Sequence, residues 1–127
     1  MRRTLLILTA LSLASTACES GTWTLQGQVA VVPDEDAVPR GVAQATVALQ
    51  CGKHRTTVKT DRAGAFSLGG HGKGPRMDCV VEITAPRHEP WRAELGDVCA
   101  DDDDDDHCET ATVLATLRKK PEASAQR

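Results

Sequence analysis

Five cysteines, six consecutive aspartates, four histidines and one glycine-rich run are the residues of this 127-residue chain whose types and spacing bear on chemistry. The cysteines are Cys18, Cys51, Cys79, Cys99 and Cys108. In an oxidising compartment thiols pair, and even numbers are favoured. With Cys18 set aside, four remain, which allow three connectivities. The preferred one is Cys51–Cys79 with Cys99–Cys108. The first bridge would join two inward-facing strand positions, and the second would clip the ends of the loop that carries the aspartates. In the chain-entropy model these closures are worth about 3–4 and about 2–3 kcal/mol. Zinc is the competing use of the same residues, but Cys99, His107 and Cys108 lack a regular ligand spacing.

Asp101, Asp102, Asp103, Asp104, Asp105 and Asp106 would offer carboxylates to calcium, which takes six to eight oxygens. An ordered site also needs turns and carbonyls, as in a D-x-D-x-D-G loop. Consecutive aspartates in an extended segment point to alternate sides, and no glycine follows. The run is therefore a weak metal candidate and reads as a solvated, self-repelling loop. Gly69-Gly70-His71-Gly72-Lys73-Gly74 has the composition of a phosphate cradle. It lacks the G-x-x-x-x-G-K-[ST] order ahead of a helix and reads as a flexible hairpin loop. His54, His71, His88 and His107 fall in turns and loops as ordinary surface residues. Ser67 has no evident base, and no G-x-S-x-G elbow is present. Trp23 and Trp91 read as core or edge-covering residues. No catalytic residue, metal or cofactor is assigned.

Composition narrows the field. Lys and Arg number 15 against 18 Asp and Glu. Without residues 1–17 the balance is 13 to 18, and the aspartate run alone accounts for the excess. No basic stripe suggests nucleic acid, and no apolar stretch approaches the roughly 20 residues of a membrane span. Two Trp, one Phe and no Tyr make a thin core, which two bridges would offset.

The N-terminus reads as an export signal. Met1-Arg2-Arg3 is positive, Thr4–Ala14 is apolar, and Ser15-Thr16-Ala17 is small before Cys18. These residues resemble the lipobox of bacterial lipoproteins. The resemblance implies cleavage after residue 17 and lipid on the Cys18 sulfur, which also leaves an even number of thiols. The expected location is the cell envelope, lipid-anchored and facing the periplasm or cell surface, with soluble secretion as the alternative. Acyl chains bury about 0.8 kcal/mol per methylene, so two or three hold firmly.

The elements that must position these residues are short strands. Thr22–Val32 alternates Trp23, Leu25, Gly27, Val29 and Val31 against Thr24, Gln26 and Gln28. Pro33–Arg40 is a loop with two prolines. Ala45–Cys51, Arg55–Thr60, Ala65–Leu68, Met77–Thr84, Pro90–Leu95 and Glu109–Arg118 follow as strands. Asp61-Arg62-Ala63-Gly64 is a type I turn. Residues 18–21 form a tether, 22–118 the domain and 119–127 a disordered tail. No mature segment keeps a 3.6-residue apolar period. The pattern predicts an all-β, antiparallel β-sandwich of about seven short strands, preceded by a cleaved signal helix.

Ala45–Leu49, then Thr60-Asp61-Arg62-Ala63-Gly64-Ala65-Phe66, then Cys79–Pro86 resembles the carboxypeptidase regulatory-like domain, a transthyretin-like β-sandwich. Asp61 and Gly64 would make its turn and Phe66 would enter the core. Arg87-His88 stands where that family has Gly-Tyr. The resemblance implies an accessory module without a catalytic centre. The expected function is a lipid-anchored, non-enzymatic module that binds an envelope protein or a glycan. The alternative is a calcium-binding adhesion or ion-buffering module that uses Asp101–Asp106.

Overall fold

The computed structural model describes residues 21–32, 38–100 and 106–121. The signal segment, Cys18 and Asp101–Asp105 lie outside the described residues. Among the described residues eight strands form two sheets, with one helical turn beside them: β1 (Thr22–Val31), β2 (Arg40–Gly41), β3 (Thr46–Cys51), β4 (His54–Lys59), β5 (Ala65–His71), β6 (Val80–Thr84), β7 (Trp91–Glu94), α1 (Leu95–Val98) and β8 (Thr110–Leu117).

Sheet one is organised on β1, which pairs antiparallel with β5 and with β2 and parallel with β8. Sheet two runs β4-β3-β6-β7, antiparallel throughout. Strands of period two carry one apolar face, and here the two sheets bury theirs against each other. Leu25 and Val29 from β1, Phe66 from β5, and Ala111, Val113, Ala115 and Leu117 from β8 meet Val47, Leu49, Val81 and Ile83 of sheet two. Strand β8 alternates buried and exposed along its whole length. The sandwich expected from the sequence is therefore the fold.

The Asp61 turn forms as its residue types require. Asp61 Oδ1 accepts from the Ala63 and Ala65 N–H groups at 2.9 Å each. Gly64 closes the turn on the Asp61 carbonyl at 3.0 Å and has φ +82°. A Cβ there would stand 2.2 Å from the Val29 carbonyl oxygen. Phe66, two residues on, is buried.

Five details differ from the sequence reading. The β1–β8 pair is parallel, because the last strand returns beside the first rather than beside its own predecessor. The two-residue β2 and the four-residue α1 are too short to show a period in the sequence. Strand β5 continues through Gly69 and Gly70, which pair with Thr24 and Trp23 instead of forming a loop. Strand β6 starts at Val80, since Arg76–Cys79 is a turn closed by the Cys79 N–H on the Arg76 carbonyl at 3.0 Å. In the segment expected as a disordered tail, Lys119 bridges to His88 and the Lys120 N–H donates to the Arg87 carbonyl at 2.9 Å.

Candidate functional site

Both bridges form as preferred: Cys51–Cys79 spans 28 residues and Cys99–Cys108 spans 9. They stand at the end of the sandwich where β1 begins, and Cys51 of the first bridge lines a cleft of about 290 Å³. Its apolar lining is Trp23, Leu49 and Cys51. His54 stands on one wall, and His71 and Lys73 on the other.

Each wall follows from local sequence. The Cys51-Gly52-Lys53-His54 hairpin turns in two residues, with Gly52 at φ +59°. A glycine in the first central position suits a tight II′ turn, whose twist matches the strands. His54 therefore starts β4 directly opposite Cys51. Across the cleft, Trp23 and Gly70 are cross-strand partners. A Cβ on Gly70 would stand 2.8 Å from the indole Nε1, so the absent side chain is what admits the ring. His71 follows at the end of β5.

The chain then turns at Gly72, φ +102°, whose N–H donates to the Gly21 carbonyl at 2.8 Å. Lys73 projects from the next residue. Gly74, φ +93°, lies so close to Cys108 that a Cβ would approach its carbonyl oxygen to 2.1 Å. The Cys108 N–H donates to the Pro75 carbonyl at 2.8 Å. The glycine-rich segment is thus fastened to a disulfide-bonded residue, in contrast to the flexible hairpin expected. Trp23 is half-buried and does two things: it packs against the core and it lines the cleft. His54 and His71 are exposed, but they share one concavity.

The remaining candidates are placed as follows. Asp106 is exposed, and its carbonyl accepts from the Met77 N–H at 2.8 Å. His107 forms a bridge with Arg76. His88 lines a second cleft at the opposite end. Ser67 is exposed in β5 beside buried Phe66, and Trp91 begins β7 half-buried. No three His, Cys, Asp or Glu stand close enough to hold a metal among the described residues.

The class that the fold defines is a two-sheet β-sandwich with an open cleft at one end, lined in part by the disulfide-bonded Cys51. No protein-family model matches the chain, and no curated protein is significantly similar to it. Among solved structures, the chain is similar to catechol 1,2-dioxygenase from Pseudomonas arvilla C-1, with a TM-score of 0.50 and 14% identity over 89% of this chain and 57% of that one. It spans little more than half the length of that enzyme. It is also similar, with a TM-score of 0.48 and 14% identity over 84% of this chain and 85% of that one, to the dioxygenase domain of a dioxygenase carbohydrate-binding protein fusion from the cellulolytic bacterium Streptomyces sp. SirexAA-E.

The first likeness shows the fold alone, but it corrects an expectation. The expected non-enzymatic module binding an envelope protein or glycan follows from the resemblance to an accessory domain, and the alternative calcium module from the Asp101–Asp106 run. The architecture is instead shared with an enzyme, so it gives no ground for the statement that the chain is not an enzyme, and both expected functions are withdrawn. Oxygen-activating metals take converging imidazole and carboxylate donors. The described residues do not fit such a centre: His54 and His71 are joined in the cleft by Lys73, a cation, and the cleft cysteine is in a bridge.

Proposed function

We propose that the chain is an exported domain held to a membrane by lipid on Cys18, and that the Trp23 cleft binds a small ring-bearing molecule with hydroxyl or carboxylate substituents. The observation that carries the reading is the convergence of one indole, two imidazoles and one ammonium on a concavity of about 290 Å³. An indole offers a planar apolar surface for a ring. Imidazoles exchange hydrogen bonds with hydroxyls, and an ammonium attracts an anionic substituent.

Preorganisation supports the same reading. Both disulfides and the Gly74–Cys108 contact stiffen the walls before any ligand arrives, and a cleft fixed in advance loses less freedom on binding. Export is supported by the charge and apolar pattern of residues 1–17, by the small residues ahead of Cys18, and by an even number of remaining cysteines, all four of them paired. Only Glu19, Ser20 and Gly21 separate Cys18 from β1, so the lipid would hold the Trp23 end toward the bilayer.

The test is calorimetric titration of the full chain carrying Cys18→Ser with catechol and with 4-hydroxybenzoate, using succinate as the ringless control. Trp23→Leu and Lys73→Gln are titrated in parallel. The proposal expects binding of at least one ring compound, weakened about tenfold by Trp23→Leu, equivalent to about 1.4 kcal/mol. Equal affinity for succinate and the ring compounds would refute it.

A further inference from the structure

A second concavity of about 300 Å³ lies at the opposite end of the sandwich, where β1 and β8 finish. The ten residues of β1 put it about 30 Å from the Trp23 cleft. Its floor is aliphatic: Val31, Val32 and Leu117. Its walls are Arg87, His88 and Lys119. Neither Arg87 nor Lys119 has a carboxylate at ion-pair distance among the described residues, where the pairs are Arg55–Glu82, Arg76–Asp78 and Arg92–Glu82.

The wall is built around an unusual residue. Arg87 has φ +68°, in the left-handed region that glycine occupies freely and side-chain-bearing residues enter at a cost. Three contacts hold it there. The Lys120 N–H donates to the Arg87 carbonyl at 2.9 Å, the His88 N–H donates to the Ala85 carbonyl at 3.2 Å, and the Glu89 N–H donates to the Arg118 carbonyl at 2.7 Å. His88 Nδ1 donates to the Pro86 carbonyl at 2.9 Å. The turn is thereby stitched to the extension of β8. Arg87 and Lys119 line the same cleft as the aliphatic residues, Arg87 from a backbone position where glycine would be easier.

We infer that this cleft binds a small amphipathic carboxylate, a medium-chain acyl anion, with the head group between Arg87 and Lys119 and the chain on Val31, Val32 and Leu117. A guanidinium takes a carboxylate through two parallel hydrogen bonds, and an aliphatic floor rewards each methylene placed on it. A purely inorganic anion would use the cations and leave the floor in water. An uncharged chain would use the floor and leave the cations unanswered. The site lies away from the Trp23 cleft and does not depend on what that cleft binds.

Calorimetry of the full chain carrying Cys18→Ser tests this, with octanoate as the probe and octanamide and acetate as controls. The inference expects octanoate to bind at least tenfold more tightly than either control. Arg87→Gly is the deciding variant: relief of the left-handed backbone should raise the melting temperature, while octanoate affinity falls at least fivefold. Lys119→Gln, which leaves the turn intact, should weaken octanoate about threefold. Octanamide equal to octanoate, or Arg87→Gly with undiminished octanoate affinity, would overturn the inference. So would competition of octanoate by phosphatidylglycerol vesicles, because the site would then belong to a bilayer.

Discussion

Thr60→Val removes one oxygen from the interior and should cost more than most single changes in this domain. Thr60 is 1% exposed and is the buried polar residue among the described positions. Its hydroxyl donates to the Val42 carbonyl and accepts from the Ala45 N–H at 2.9 Å. Its own backbone bonds the same segment on both sides, with the Thr60 N–H on the Ala45 carbonyl at 3.0 Å and the Gln44 N–H on the Thr60 carbonyl at 3.1 Å. The hydroxyl thus fixes the passage from β2 into β3, where Gln44 sits at φ +61°. Valine keeps the shape but leaves a fully buried Ala45 N–H without that partner. An unmet buried donor costs about 1–3 kcal/mol, and the Val42 carbonyl adds to it. The expected loss is about 2–3 kcal/mol, or roughly 10–20 °C in melting temperature for a domain of this size. Thr60→Ser keeps both bonds and gives up one methyl, so it should lose only about 1 kcal/mol. Urea unfolding of the two variants followed by circular dichroism separates the terms. Valine matching or exceeding serine in stability would refute the hydrogen-bond argument.

Three further outcomes are expected. Replacing Cys51 and Cys79 together by Ala should cost about 3–4 kcal/mol in the chain-entropy model, read by thermal melts with the wild type run under oxidising and reducing conditions. Gly27→Ala should destabilise by about 1–3 kcal/mol or more, because a Cβ there would stand 2.0 Å from the Val113 carbonyl oxygen of the parallel partner strand; denaturant midpoints check it. Intact mass spectrometry of the chain from bacterial membranes should find it cleaved before Cys18 and carrying acyl mass there, and Cys18→Ser should lose that mass. A full-length precursor with free thiols would refute export.

Much of the fold was legible because burial on one face leaves a period of two in the sequence. The alternation of Leu25 and Val29 in β1, and of Ala111, Val113, Ala115 and Leu117 in β8, names the core directly. The Asp61–Gly64 turn was legible for a different reason: Asp and Gly each suit one position of it, and Phe66 marks the return to the core. What stayed hidden depends on register between distant strands. Nothing local shows that Trp23 lies opposite Gly70, so a glycine that admits an indole reads as loop flexibility. His54 and His71 are 17 positions apart and share a cleft only because β4 and β5 sit in facing sheets. The parallel partnership of β1 with β8 joins the two ends of the domain, and no turn signal can announce it. Arg87 in a left-handed conformation is equally silent, since the residue type argues against it.

The most direct test of the central claim is the titration of the Trp23 cleft with a ring compound and its ringless control, with Trp23→Leu alongside. Binding at that cleft should give heat and saturation with catechol or 4-hydroxybenzoate, none with succinate, and about tenfold weaker binding once the indole is gone. No binding by either ring compound, or binding that Trp23→Leu leaves unchanged, would contradict it.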